Sequence, residues 1–512
     1  MAARTAGSLN AAMPTRTDTR LLSNYIGGRW VASTASEELD VTNPATGEAL
    51  ARVPLSGAAD VDAAVQAARA AFPAWRRRPT IERARWLFGF RQVVEAHADE
   101  LARSVTREMG KTLPDARAEV GRAIEMIEAA SAIPQTMQGR VLENVATGVD
   151  CEMIRQPVGV CAAVVPFNFP AMVPLWFLPY AIACGNTFVL KPSEQVPLTQ
   201  ELFFNLIDET GGLPEGVVNL VNGSVDVVNG LLDHPGVDAI SFVGSAKVAR
   251  SIYERAAANG KRVQALGGAK NFMVVMPDAV MPKTVSNIIG SAFGAAGQRC
   301  MAGSVVVAVG DAKRPLVDEL VARTRELSVG DGLEQGTDVG PVVSCAARDR
   351  IVEWIERGAE AGATIAVDGR RPDANPEGAF VGPTILDGVT PDMDVAREEI
   401  FGPVLSIIHA ASLDEAIDIV NASPYGNGTS IFTESGAAVR RYRHDVEVGM
   451  IGVNVGVAAP VAFFPFSGWK GSFFGDLHAH GGDAVEFYTR KKTVTSRYFS
   501  GGETGKFFVE EN

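Results

Sequence analysis

No Gly-x-Gly-x-x-Gly, Gly-x-x-x-x-Gly-Lys-Ser/Thr or Gly-x-Ser-x-Gly run occurs in the 512 residues. The usual dinucleotide, phosphate-loop and serine-nucleophile signatures are therefore missing. Cysteine is scarce: five residues, Cys151, Cys161, Cys184, Cys300 and Cys345, with no Cys-x-x-Cys pair. That excludes a disulfide scaffold or zinc ribbon and favours a reducing compartment, so a cytoplasmic setting is expected. Of six histidines only His478 and His480 lie close together, and no His-Glu-x-x-His sets two ligands on one helix face. A polar loop is expected there, and no metal site. Basic excess is absent as well, since 47 Lys and Arg face 60 Asp and Glu for a net charge of −13. Nothing electrostatic argues for nucleic acid. An unbroken apolar span is also lacking. Gln156 to Leu190 holds no charged residue, but Pro157, Pro166, Pro170, Pro174 and Pro179 interrupt it and Asn168 sits in its middle. It reads as a buried strand, a loop and a buried helix rather than a membrane span.

What is present is ordinary for a globular protein: 46% hydrophobic and 21% charged residues, in a chain long enough for two or three domains. Residues 1–20 carry Arg4 and Arg16 and no acid before Asp18. They loosely resemble a transit peptide, yet no amphipathic Arg-bearing helix can be drawn, and a flexible tail is expected. From Ala58 to Ala130 apolar residues recur at helical spacing, and then the period changes. Strands at Gly159–Val165, Thr187–Leu190, Val217–Val221 and Ala239–Val243 alternate with helices, and a second alternation starts at Phe272–Val275 and runs through Val305–Val309, Leu405–Ile408, Ser430–Phe432 and Met450–Asn454. The expected fold class is α/β, with two doubly wound parallel-sheet domains. Ligands of such sheets bind at the carboxyl ends of strands, where Asn168, Lys191, Glu194, Gly244 and Ser245 fall.

One thiol stands out. In Phe293-Gly-Ala-Ala-Gly-Gln-Arg-Cys-Met-Ala-Gly-Ser304, small residues crowd Cys300 and three glycines let backbone pass closely, which is how a nucleophile is presented. The competing reading is an inert buried cysteine. Gly244-Ser245, after a strand and before a helix, offers free N–H groups to a phosphate, and Lys191 and Glu194 could hold ribose hydroxyls, although a tight turn and a solvated loop explain the same residues.

Taken in order, Pro166-Phe-Asn-Phe-Pro170, Lys191-Pro-Ser-Glu194, Phe242-Val-Gly-Ser245, Gly297-Gln-Arg-Cys300 and Glu398-Glu-Ile-Phe-Gly-Pro403 resemble the aldehyde dehydrogenase superfamily over nearly the whole chain from about Leu21. The resemblance implies that Cys300 attacks an aldehyde and that the Asn168 side chain and the Cys300 N–H hold the oxyanion. It implies a nucleotide site of Phe167, Lys191, Glu194, Gly244, Ser245, Glu399 and Phe401. A carboxylate at Glu194 disfavours a 2′-phosphate, so NAD is the expected cofactor. The implied domains are an NAD-binding domain at 21–141 and 160–265, a catalytic domain at 266–482, and a small β arm at 142–159 and 483–504 joining a homo-oligomer of two or four subunits.

A departure sharpens the reading. Hydrolytic members carry Glu-Leu-Gly-Gly-Lys, whose Glu activates water, and here Ala265 stands at that position in Gln264-Ala-Leu-Gly-Gly-Ala-Lys-Asn271. Without a base, a thiol outcompetes water at the thioester, so coenzyme A is the expected acyl acceptor. Together with Phe466-Ser-Gly-Trp-Lys-Gly-Ser-Phe-Phe-Gly-Asp-Leu-His478 and Glu486-Phe-Tyr-Thr-Arg490, this resembles the CoA-acylating methylmalonate-semialdehyde dehydrogenase branch. That branch turns methylmalonate or malonate semialdehyde into propanoyl-CoA or acetyl-CoA with loss of the carboxylate. The resemblance makes Arg122 and Arg299 the substrate arginines. By periodicity alone, Val120, Ile124 and Ile127 share a helix face from which Arg122 points away, into solvent. Phe272 stands where relatives often have His, and Ala249 where many have Gly. The alternatives are a hydrolytic semialdehyde dehydrogenase, an NAD-independent thiol acyltransferase and an inactive binding protein on the same fold.

Overall fold

The computed structural model describes residues 19–498. The expected tail therefore lies mostly outside the described residues, as do positions 499–504 of the expected arm.

Two parallel sheets organise the chain because its β-branched runs are too short and too uniformly apolar to face water on either side. In the first sheet the parallel strands lie in the order Val218–Leu220, Thr187–Lys191, Val160–Val164, Ala239–Val243 and Arg262–Leu266. Chain order reverses between Val160–Val164 and Ala239–Val243, so a crevice opens at their carboxyl ends. Antiparallel strands extend this sheet at both edges. Asn24–Ile26 and Arg29–Val31 add to one side, and Phe473–Phe474 pairs with Ala265 and Leu266 on the other. That last contact brings residues from within 266–482 onto the first sheet. Sequence periodicity cannot reveal a two-residue strand that pairs across some two hundred positions.

The second sheet runs Thr364–Val367, Thr384–Asp387, Val404–Ala410, Gly303–Val309, Asn271–Val275, Gly428–Phe432 and Met450–Val453, parallel except for its first pair. Its core of Val274, Val305, Ile407 and Ile431 is fully buried. A third, three-stranded antiparallel sheet joins Thr489–Arg497, Val149–Pro157 and Arg140–Ala146, with every residue of Arg140–Ala146 exposed.

The charge-free stretch is the strand Val160–Val164, a loop, the buried helix Met172–Ala183 and the strand Thr187–Lys191. Among the described residues no helix is long and apolar enough to cross a membrane. Four helices fill Ala58 to Ser131: Ala58–Trp75, Thr80–Ala96, Ala98–Met109 and Leu113–Ser131. The last begins with Thr112 accepting the Asp115 N–H and with Pro114 in its first turn, a strong start signal.

Candidate active site

Cys300 sits where two cavities meet. One is a cleft of about 270 Å³ lined by Phe167, Asn168, Gly244, Ser245, Gly267, Arg350, Glu399 and Phe401. The other, of about 70 Å³, is lined by Arg122, Arg299, Trp176, Phe466 and His480 among others. The first sheet contributes the carboxyl ends of its two switch-point strands to the cleft, and the second sheet contributes the loop that enters Gly303–Val309. Each half of the site is thus incomplete without the other.

The nucleophile loop is held at several points. Asn271 Nδ2 donates to the carbonyl oxygens of Cys300 (2.9 Å) and Ala302 (3.0 Å), and Asn427 Nδ2 donates to Cys300 O at 3.0 Å. Ala295 and Ala296 take left-handed φ values of 49° and 52°, strained for non-glycine residues, and Asp115 Oδ2 accepts the Ala295 N–H at 3.0 Å. At Gly297 a Cβ would lie 2.2 Å from Gly402 O, so glycine is required where the Glu399–Gly402 segment crosses the loop. Burial first, and the Glu399 carboxylate second, push the Cys300 thiol up to about 12. Burial likewise raises Glu399 to about 7, while its Oε1 accepts the Ala269 N–H at 3.1 Å.

Asn168 is 4% exposed, and its Nδ2 donates to Gln298 O at 3.0 Å, two residues before Cys300. Lys191 Nζ pairs with Glu194 at 2.7 Å at the end of the neighbouring strand. Gly244 and Ser245 precede the thirteen-residue helix Ala246–Ala258, which has no side-chain cap and no acid in its first turn. Its free N–H groups therefore suit an anion such as a pyrophosphate; of the expected nucleotide residues, Phe167, Gly244, Ser245, Glu399 and Phe401 line the cleft, and Lys191 and Glu194 are not in its lining. Phe401, at φ 55°, meets Phe167 edge-on with ring centroids 5.8 Å apart. Ala265 is buried in an apolar cluster with Val164, Phe242 and Phe474, and Glu399 is the one carboxylate among the described residues lining the cleft. Ala249 belongs to the same cluster, and Phe272 is buried in the second sheet's core.

On the other side of Cys300, Arg299 Nη2 donates to Asp115 Oδ1 at 2.7 Å, and its guanidinium passes over Gly294, where a Cβ would lie 2.6 Å from it. Arg122 Nη1 donates to Glu125 at 2.6 Å, and Nη2 reaches Pro460 O. Arg122 is half-buried and faces the small cavity, which corrects the solvated reading from periodicity. The residues covering it come from the distant segment around Pro460–Ala462, invisible to a helix-face count. His478 pairs with Asp483, and His480 is buried edge-on to Trp176 with its pKa lowered by burial to about 4.

The aldehyde dehydrogenase family model matches residues 30–494. The chain belongs to the aldehyde dehydrogenase family. Malonate-semialdehyde dehydrogenase 2 of Geobacillus kaustophilus (strain HTA426) is 54% identical over 483 residues, 94% of this chain and 100% of that one. The crystal structure of methylmalonate-semialdehyde dehydrogenase from Oceanimonas doudoroffii superposes with a TM-score of 0.93 at 46% identity, covering 94% of this chain and 99% of its own. A Sinorhizobium meliloti 1021 protein solved with NAD, and provisionally described as the same enzyme, gives 0.93 at 43% identity, covering 95% and 100%.

Within this aldehyde dehydrogenase, sequence reading missed Lys111, Asp115, Glu119, Asn271, Arg350 and Asn427. Asn271 closes the Gln264–Asn271 run, where Ala265 drew the reading, and the other five belong to no run of unusual composition. The expected core stripe of the helix Leu113–Ser131 did not include Glu119, which is 3% exposed.

Proposed function

We propose that this enzyme is an NAD-dependent, CoA-acylating dehydrogenase of malonate or methylmalonate semialdehyde, releasing acetyl-CoA or propanoyl-CoA. The observation that carries the reading is the placement of Cys300 between a cleft lined by Gly244, Ser245, Glu399 and Phe401 and a small pocket bearing two arginines. A three-carbon chain with an aldehyde at one end and a carboxylate at the other suits that geometry, because guanidinium groups can bind a carboxylate through paired N–H bonds.

The Cys300 thiolate attacks the aldehyde carbon, forming the C–S bond while Arg122 and Arg299 hold the carboxylate. The new oxyanion is met by the free N–H of Asn168 Nδ2 and by the Cys300 backbone N–H. Lys191 and Glu194 would hold one ribose of NAD, and Glu399 and Phe401 would hold its other end beside Cys300, where the nicotinamide would supply the hydride acceptor for the reacting carbon. The acyl group then remains on Cys300 as a thioester. Its β-carboxylate leaves as carbon dioxide, the bonding pair passing into the thioester enolate, which takes a proton. The thiolate of coenzyme A then attacks the thioester carbonyl and frees Cys300. With Ala265 in an apolar cluster, no side chain at that position can activate water.

The rival reading, a hydrolytic semialdehyde dehydrogenase, rests on Glu399, a carboxylate raised to about 7 in the same cleft. Mass analysis of the acyl product with and without coenzyme A separates the two. The exposed strand Arg140–Ala146, with Val141 and Leu142 at 70% and 64% exposure, supports an arm that pairs with a second copy of the chain. Five unpaired cysteines support a reducing cytoplasm.

A further inference from the structure

The most deeply buried ion pair at the site has no part in the reading above. Lys111 and Glu119 have side chains 1% and 0% exposed and meet at 2.6 Å. Desolvating two charges costs several kcal/mol per ion, on the order of what their attraction returns, so an apolar pair would serve stability as well. Their remaining polar contacts fall on one short segment. Lys111 Nζ also donates to the Asn168 carbonyl oxygen at 2.7 Å and stands 3.9 Å from the centroid of the Phe169 ring. Glu119 Oε1 accepts the N–H groups of Ala171 (2.7 Å) and Met172 (3.1 Å). Residues 168–172 are thus gripped from below at Asn168, Phe169, Ala171 and Met172. From above, the Asn168 side chain is tied to Gln298 O in the nucleophile loop.

Resting on the acyl chemistry above, we propose that Lys111 and Glu119 are positioning residues that set the Asn168 amide where the oxyanion forms. Neither touches substrate. They act by fixing the backbone from which Asn168 projects, and a displacement of about 1 Å there is enough to weaken an oxyanion bond greatly.

The test is a cycle between the pair and Asn168, read as the pre-steady-state burst of NADH with propanal, which carries no carboxylate and bypasses the arginines. Lys111→Met/Glu119→Leu should slow the burst about 100-fold with little change in KM, close to the loss from Asn168→Ala. Combined with Asn168→Ala it should add less than about twofold, because the group it positions is gone. A loss repeated in full on the Asn168→Ala background, or an undiminished burst in the well-folded pair variant, overturns the proposal. If the apolar pair does not fold, Glu119→Gln carries the same cycle, with about five- to tenfold loss alone and none on the Asn168→Ala background; full additivity there also overturns it. No burst from the unaltered enzyme would overturn the underlying reading instead.

Discussion

On the nucleotide side of Cys300 the walls are strand ends, glycines and free helix N–H groups, with Glu399 the one carboxylate lining the cleft among the described residues. On the substrate side the walls are largely apolar, with Met126, Phe169, Trp176 and Phe466 among them, and carry two guanidinium groups. In and behind these walls each cation has its own carboxylate: Arg299 with Asp115, Arg122 with Glu125, Lys111 with Glu119. All three carboxylates come from the helix Leu113–Ser131. Asp115, Glu119, Arg122 and Glu125 are spaced by four, three and three residues, which keeps them on neighbouring rows of one helix surface. The difference teaches that the cleft recognises its ligand largely through backbone, whereas the pocket relies on guanidinium groups already held in place by internal partners. A substrate carboxylate then meets N–H groups whose orientation is fixed before it binds, which lowers the ordering cost of recognition.

The largest expected effect breaks both sides at once. Cys300→Ala should abolish NADH formation while NAD binding, followed by calorimetry, stays within about twofold, since the thiol supplies the covalent bond and not the nucleotide contacts. Near-normal turnover would remove Cys300 from the mechanism.

Next, Arg299→Leu or Arg122→Leu should lower kcat/KM for malonate semialdehyde about 100-fold and for propanal by less than about threefold, because only the first substrate loses a charged partner. Equal losses on both would show that the arginines serve structure alone.

A smaller effect sharpens the cleft side. With its thiol near 12, Cys300 in the NAD-free enzyme should be alkylated by iodoacetamide about tenfold faster per pH unit from 7 to 10, since the thiolate fraction rises with pH. The Glu399 carboxylate contributes to that rise in pKa and itself ionises near 7. Glu399→Gln should therefore lower the thiol's pKa and speed alkylation several-fold at pH 8.5, roughly a half-unit effect. It should do nothing at pH 5.5, where the native carboxyl is already protonated. A plateau in the native rate below pH 9 would contradict a thiol raised by desolvation and by Glu399.

The smallest effect on chemistry is expected far from both cavities. Leu142→Asp on the exposed edge strand should reduce the particle mass measured by light scattering and leave the acylation burst within about twofold. An unchanged mass would remove that edge from the assembly.

Much of the nucleotide side was legible in the sequence because its motifs lie at strand ends. Asn168, Gly244-Ser245 and the small residues around Cys300 each stand out next to an apolar strand, Val160–Val164, Ala239–Val243 or Gly303–Val309. The substrate side was legible only as residue types. Arg122 could be named, but its covering segment around Pro460 lies 338 positions away in the chain. Lys111 follows Gly110 in an unremarkable turn, and Glu119 looks like any surface acid until two helices and the Asn168 loop close over it. The strands Thr364–Val367 and Thr384–Asp387 were not expected either, being four residues each, too short for alternation to register. Phe473–Phe474, shorter still, takes its place through pairing alone.

The most direct measurement is NADH formation from malonate semialdehyde with and without coenzyme A, with the acyl product identified by mass. The account predicts a single burst without coenzyme A, sustained turnover with it, and acetyl-CoA as product. Sustained turnover without coenzyme A, giving a free acid, would contradict it and leave Glu399 as the group to examine for water activation.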